Sequence, residues 1–458
     1  MAIAPYFVIS PSALVSLFGL IRGARHVPEH SYPNWRELTV DVIIPAKDEE
    51  DRIALCLASL FRQTMPPRSV TLIDDHSTDR TVEVAHAFCE ANDVTIRIVR
   101  RGESRGKTEG VRKEAEENNA DVEFVLDADT VLDSDNYIER LVEELYRVPG
   151  IATACGEIHP LRIADIRRFA GDDSVIRLKN HVPGLKLDMA RKGWRALAHG
   201  ISNIYRDVLY YFVQNIIYRG DLAIFGSIPN PVGCAVAYRR EYLAQTIHDV
   251  LLKHGDNLTT SEDIFFGLSF IYHGFRNVQV TDVIVRSEEP EIQIVPKQLL
   301  LWSSAWLQSA YYLPRLLASP ALTIKRRLQH QEHTGPETNR RVIDDPYRWP
   351  WGEEYSNTAG RGFGWVFFLA LFEKVTFPVI LILMIVLGWW EALAVTVIGE
   401  VLVFSLFVAA FGPRQKLGYF FKGILTAPLR YASLMFDLVV VLRFIYDITL
   451  GGRTAWKK

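Results

Sequence analysis

The chain is predicted to be an α/β protein, a mostly parallel sheet with apolar helices at both ends. Three observations predict it. Between residues 37 and 290, short β-branched runs alternate with polar, helix-patterned stretches, the rhythm of strands joined by crossover helices. Four of those runs stop at clusters of charged residues, and strand ends are where ligands bind in open α/β sheets. The 49% hydrophobic content collects at the two ends of the 458 residues, which are enough for a full α/β domain and a further layer.

Taken in order, residues 4–21 are nearly uncharged and run into Arg22, Arg25 and His26. At 1.5 Å per residue they reach roughly 27 Å, enough to span a bilayer, and charge after the apolar run places the following residues in the cytosol. A cleaved signal peptide wants the opposite charge order. Strands are expected at 38–45, 69–73, 94–99 and 122–126, with helices at 48–63, 79–91 and 107–118 between them. No G-x-G-x-x-G or Walker A pattern follows the first strand, which argues against dinucleotide and P-loop chemistry. An amphipathic or core helix is expected over 205–218, a Gly/Pro loop over 226–240 and a helix over 264–272. Leu299, Trp302, Trp306, Ala310, Leu313 and Leu317 recur every three or four residues, the stripe of a helix lying on a membrane surface. Apolar runs at 375–390 and 392–411 form a helical hairpin. A third run at 431–450 carries Asp437, Arg443 and Asp447, which are expected either to face a bundle interior or polar cavity and pair with one another, or to belong to an interfacial helix lying flat. The expected units are therefore an N-terminal transmembrane helix and linker (1–36), a catalytic domain (37–290), interface helices (291–330), a possible gating loop (331–362) and C-terminal transmembrane helices (363–458).

The formal net charge of −3 excludes a bulk nucleic-acid binder. Cys56, Cys89, Cys155 and Cys234 have neither zinc nor C-x-x-C spacing and read as free thiols of a reducing compartment. The twelve histidines form no pair at metal spacing. The chemistry gathers on carboxylates. Asp127-Ala128-Asp129 closes the fourth strand, and two carboxylates so close repel unless a cation such as Mg²⁺ or Mn²⁺ joins them. Asp48, Asp74 and Asp75 sit at the ends of the first two strands, and Lys107 opens the helix after the third. Each Asp taken singly also reads as a helix cap, and Glu262-Asp263 as the acidic first turn of a helix.

In this order and spacing, Val42-Ile43-Ile44-Pro45 with Asp48-Glu49, Asp74-Asp75-His76-Ser77-Thr78-Asp79, Gly106-Lys107 and Asp127-Ala128-Asp129 resemble family 2 glycosyltransferases of the GT-A fold. Ser261-Glu262-Asp263 resembles the family's T-E-D motif, and Gln298-Leu299-Leu300-Leu301-Trp302 stands where Q-x-x-R-W belongs, with leucine in place of the arginine. The terminal helices match the membrane-embedded branch that includes cellulose, chitin, hyaluronan and poly-N-acetylglucosamine synthases. Trp349-Pro350-Trp351-Gly352 is similar to the W-G-T gating loop of hyaluronan-type enzymes but lacks the threonine.

The resemblance implies a multi-pass membrane protein with a cytosolic catalytic domain. The implied activity is transfer of sugar from a UDP-sugar donor, with inversion, to a growing β-linked polysaccharide, with coupling to its export as a further expectation. Transfer to a lipid acceptor and an inactive glycosyltransferase-like scaffold are the alternatives. Asp48, Asp74, Asp75, Lys107, Asp127, Gln298 and Trp302 would bind substrate, Asp127 and Asp129 a Mg²⁺ or Mn²⁺ ion, and Asp263 would act as general base with Glu262 beside it. Trp302 reads equally as an acceptor platform and as an interfacial anchor. Implied partners are the donor, a glycan or lipid acceptor and membrane lipids; nothing in the sequence speaks to oligomeric state.

Overall fold

The computed structural model describes residues 10–23, 32–185, 187, 193–254, 261–328, 362–411 and 416–450. The gating-loop expectation at 331–362, apart from its last residue, and the start of the expected N-terminal span lie outside them. The elements in order are α1 (Pro11–Arg22), β1 (Val40–Ala46), α2 (Ile53–Phe61), β2 (Ser69–Asp74), α3 (Thr81–Asn92), β3 (Arg97–Arg100), α4 (Lys107–Glu117), β4 (Val122–Leu126), β5 (Thr130–Leu132), α5 (Tyr137–Leu145) and β6 (Ile151–Pro160). Then come α6 (Ile163–Phe169), α7 (Asp173–His181), α8 (Gly193–Phe212), a π-helical turn (Val213–Tyr218), α9 (Arg219–Phe225), β7 (Ala235–Arg239), α10 (Arg240–His254), α11 (Glu262–Tyr272) and β8 (Arg276–Ser287). The chain continues through α12 (Val295–Tyr312), α13 (Pro314–Leu328), α14 (Gly362–Val386), α15 (Trp390–Ala410), α16 (Lys416–Leu425) and α17 (Ala427–Thr449).

Eight strands form one sheet in the order β3-β2-β1-β4-β7-β6-β8-β5. The first four are parallel, as their crossover helices require, but the sheet as a whole is mixed: β7 runs antiparallel to both β4 and β6, and β5 antiparallel to β8. The chain reaches β7 through a loop at the end where β4 stops, so Ala235 pairs with Leu126 and Cys234 O accepts the Asp127 N–H at 2.8 Å. The expected loop over 226–240 is therefore a loop only as far as Cys234. The helix expected from residue 48 starts at Ile53, because Asp48 adopts a left-handed φ of 57° and caps the neighbouring loop instead. β4 is buried throughout and apolar apart from Glu123, as a central parallel strand must be.

The amphipathic stripe of α12 faces protein rather than a membrane surface. Trp302, Trp306, Ala310 and Leu313 join α11 and α14 in a second apolar core, with the Trp306 ring stacked on Phe367 at 5.2 Å. Among the described residues two helices are long and apolar enough to cross a membrane, residues Gly364–Val386 and Trp390–Ala410; α16 and α17, bent by 51°, add a third if taken together. Their outer faces carry exposed Phe372, Ile382, Leu383, Ile398, Leu402 and Leu406, suited to lipid rather than water. Asp437 pairs with Lys374 at 3.1 Å, not with Arg443 on its own helix, and Arg430 grips Glu400 through two bonds of 2.5 and 3.2 Å. The described part of the N-terminal helix, α1, is 12 residues long. It docks between α9 and α14: Ser16 donates to buried Asp221 at 2.8 Å and the Ser12 amide to Glu373 at 2.6 Å. Gly19 and Gly220 meet at this crossing, where a Cβ on either would collide with the other helix's backbone.

Candidate active site

The loops after β1, β2 and β4, the loop before β7 and the start of α11 converge at one end of the sheet. Each places its side chain for a local reason. The Asp75 carboxylate accepts from Ser104 Oγ at 2.6 Å, Arg101 Nη1 at 2.9 Å and the amides of Arg105 and Gly106. Burial would raise its pKa, but these donors together hold it down at about 2. Asp74, 1% exposed, accepts from the Ser77 amide and from Arg100 and braces the same turn. Asp48 is exposed and clasps the first two loops through the Thr78 amide at 2.7 Å, which lowers its pKa. These three aspartates thus shape the loops, and none of them lines the central cavity.

That cavity, of about 670 Å³, holds the rest of the expected constellation: Lys107, Asp127, Asp129, Glu262, Asp263, Gln298 and Trp302, together with Leu301. Lys107 stands at its middle. Its Nζ lies 2.8 Å from Asp127 Oδ1 and 3.0 Å from Glu262 Oε1, and donates to Gly233 O at 2.8 Å. Burial opposes its charge, but Asp127, Glu262 and Asp263 outweigh that and raise its pKa, so it stays cationic. Lys107 therefore ties the Asp127 corner to the Glu262-Asp263 corner.

Asp263 begins α11 and accepts from Ser261 Oγ at 2.5 Å. Desolvation and the neighbouring Glu262 push its pKa up to about 6, against the pull of Lys107. Gly233 makes room for it, since a Cβ there would lie 2.5 Å from Asp263 Oδ2. Across the cavity desolvation and Asp127 raise Asp129 to about 7. Desolvation, then Asp129 and Glu288, raises Glu49 to about 9.

The composition of this corner tests whether a divalent cation fits. Glu49, Asp127, Asp129 and Glu288 repel one another, with Lys107 and Arg52 as the cations ion-paired among them. That excess of carboxylate suits a hard cation. Among the described residues no three acidic, histidine or cysteine side chains converge on one metal position. The protein would thus supply one or two ligands, Asp129 and Asp127, with phosphate oxygens completing the set, the usual arrangement for Mg²⁺.

The sequence reading missed four contributors. Glu49 and Glu288 belong to the acidic corner, and their signal was the excess of acid at the first and last strand ends. The π-helical turn, a rare element that often marks function, gives the cavity Gln214 and Tyr218. Arg206 of α8, 0% exposed, donates to Gln298, lies 4.7 Å over the Trp302 ring and 3.4 Å from Glu289. No local spacing in the sequence connects 206 with 298.

Residues 41–179 match the model described as glycosyl transferase family 2. Over that stretch the chain is similar to family 2 glycosyl transferases. Probable glycosyltransferase YdaM of Bacillus subtilis (strain 168) is 30% identical over 127 residues, 25% of this chain and 30% of that protein. The 4,4'-diaponeurosporenoate glycosyltransferase of Staphylococcus haemolyticus (strain JCSC1435) is 30% identical over 110 residues, 24% of this chain and 29% of that one. The matched stretch thus spans about 30% of the length of these curated relatives. A mannosyltransferase from Pyrobaculum calidifontis, solved in complex with GDP-Man and Mn²⁺, aligns over 95% of both chains with a TM-score of 0.50 at 14% identity. At that identity the likeness shows a shared fold, and it covers nearly the whole chain rather than residues 41–179 alone.

Proposed function

We propose that this protein is a membrane-bound, inverting glycosyltransferase that moves one sugar from a nucleoside-diphosphate donor, with UDP the expected carrier, onto a hydroxyl of a membrane-borne acceptor. The observation that carries this reading is the course of the cavity. It runs from Asp127, Lys107 and Asp263 to Ser12, Ala13, Phe367 and Ala370 of α1 and α14. There it shares Ser10, Ala13, Phe212 and Ala370 with a second cavity of about 350 Å³, walled mainly by apolar residues such as Phe377, Val403, Phe404 and Phe407, with Glu373, Lys374, Glu400 and Arg430 also in its lining. Such walls suit a hydrocarbon chain better than a sugar polymer. Catalytic carboxylates at one end and apolar helices at the other fit an amphiphile, and the relative named for 4,4'-diaponeurosporenoate is consistent with one.

The chemistry follows from the placement. Asp263, with a pKa near 6, is ionised at neutral pH yet basic enough to take the acceptor hydroxyl proton as that oxygen attacks the anomeric carbon. The bond to the diphosphate breaks, its electron pair leaves with the diphosphate, and direct displacement inverts the anomeric centre. Glu262 and Lys107 hold the base and the Asp127 corner in register. When bound, a Mg²⁺ or Mn²⁺ ion on Asp129 and Asp127 stabilises charge on the departing diphosphate. The catalytic domain lies on the cytosolic side in this reading, where nucleotide sugars are available. Polymer synthesis is the second reading, supported by Trp302 on the cavity wall, where a ring can stack on a sugar.

The test is a screen of UDP-glucose, UDP-galactose, UDP-N-acetylglucosamine and GDP-mannose in nanodiscs with Mn²⁺, using diacylglycerol as acceptor, with nucleotide release measured and the product sized. One sugar added to the lipid is expected. A long ladder of products moves the reading to polymer synthesis. Release no faster than that of Asp263→Asn with any donor removes the enzymatic reading.

A further inference from the structure

We infer that Arg206 is a positioning residue for transfer: from α8, behind the cavity wall, it sets Gln298 and Trp302 at the acceptor side of the cavity. The inference rests on the glycosyl-transfer reading above for what the cavity holds, and on geometry for the rest. Gln298 and Trp302 are four residues apart on α12, hence on one helical face, and both line the cavity. The residue between them that faces the same cavity is Leu301, which offers no donor. Arg206 holds the residues on either side of it from another element. Its Nη2 donates to Gln298 Oε1, its Cζ lies 4.7 Å over the Trp302 ring, and its Nε stands 3.4 Å from Glu289 Oε2.

A fully buried guanidinium is costly unless its charge is met, and here one buried carboxylate, that of Glu289, meets it. Its three partners Glu289, Gln298 and Trp302 are all cavity-lining residues, while Arg206 itself sits behind them. It therefore acts through them. Only a planar fork can donate to an amide, pair with a carboxylate and stack on an indole at once; a lysine ammonium can satisfy one or two of these. Arg206 Nη1 is buried without a hydrogen-bond partner among the described residues, so the side chain is held by these three contacts rather than by a saturated core network.

The experiment compares wild type, Arg206→Lys, Arg206→Lys with Leu301→Arg, and Arg206→Lys with Gln298→Ala. Two readouts are taken in nanodiscs with Mn²⁺: hydrogen exchange along residues 295–312, and the ratio of sugar transfer to diacylglycerol over donor hydrolysis by water, using whichever donor of the screen turns over. In Arg206→Lys, exchange at 298–303 is expected to rise at least tenfold. The transfer-to-hydrolysis ratio is expected to fall at least tenfold with donor KM changed less than threefold. Leu301→Arg restores part of the ratio, and Gln298→Ala adds nothing to the loss. A ratio that stays constant while both rates fall with the folded fraction makes Arg206 a plain core ion pair and overturns the proposal, as does unchanged exchange at 298–303. If wild type turns over no donor, the transfer reading fails, and exchange alone decides whether Arg206 places the helix. Should Arg206→Lys not accumulate, Glu289→Gln, which loosens the same anchor, is expected to lower the ratio in the same direction.

Discussion

The cleft and the C-terminal helical bundle both bury charge, but they settle it in opposite ways. In the bundle Lys374 meets Asp437, Arg430 meets Glu400 bidentately with Tyr431 adding a third bond, and Glu373 takes donors from Ser10 and Ser12. In the cleft Glu49, Asp127, Asp129, Glu262, Asp263 and Glu288 crowd around Lys107 and Arg52. Each pair in the bundle closes on itself, which is what charge packed between long apolar helices requires. The cleft is left with surplus negative charge and raised carboxylate pKa values, the mark of a site that expects something positive or a proton in transit.

That contrast can be broken by substitution. The largest effect is expected for Asp263→Asn, which removes the base: transfer falls by about 10³-fold, measured as nucleotide release, while donor binding persists. In wild type kcat/KM is expected to lose activity as pH falls through about 6, because Asp263 must be unprotonated to act and its folded pKa is raised to that value; a profile flat down to pH 5 would assign the proton elsewhere. Chelation with EDTA, or Asp129→Asn, is expected to cost roughly 10²-fold or more, with Mn²⁺ restoring the chelated enzyme but not the variant. Gly233→Ala presses a methyl against Asp263 and is expected to lower kcat on the order of tenfold, the scale of a displaced general base, with a normal unfolding temperature. In the bundle the signature inverts: Lys374→Met leaves Asp437 without its cation and costs about 3 kcal/mol of stability, read by thermal unfolding in detergent, with little change in kcat per folded molecule.

Much of this contrast was legible in the sequence. β4 with Asp127-Ala128-Asp129 at its end, Lys107 at the head of α4 and Glu262-Asp263 at the head of α11 were readable because period-2 and helical patterns mark where an element stops, and the chemistry sits at the stops. The mixed sheet was not, since β7's direction depends on where its preceding loop returns, a long-range property. The inward turn of the α12 stripe was hidden for the same reason: periodicity shows that a face is apolar but not what covers it. Asp48, Asp74 and Asp75 were recognisable as loop aspartates, yet their service as loop braces emerges only once Thr78, Ser77 and Ser104 are brought to them. Arg206 was beyond reach, being joined to its partners through space alone.

The glycine crossing of α1 and α9 also bears on how the chain is made. Ser16 is tied to a partner 205 positions later and Ser12 to one 361 positions later. At ribosomal speeds of about 5–20 residues per second, the first helix waits roughly 10–70 s before its seats exist. During that interval its docking face, Ala13, Ser16 and Gly19, has only the membrane or a chaperone for company. The close approach that admits no Cβ at 19 or 220 is then not the first contact of assembly, and a Gly220→Ala chain would be synthesised and inserted at a normal rate yet stay sensitive to protease at its amino-terminal helix.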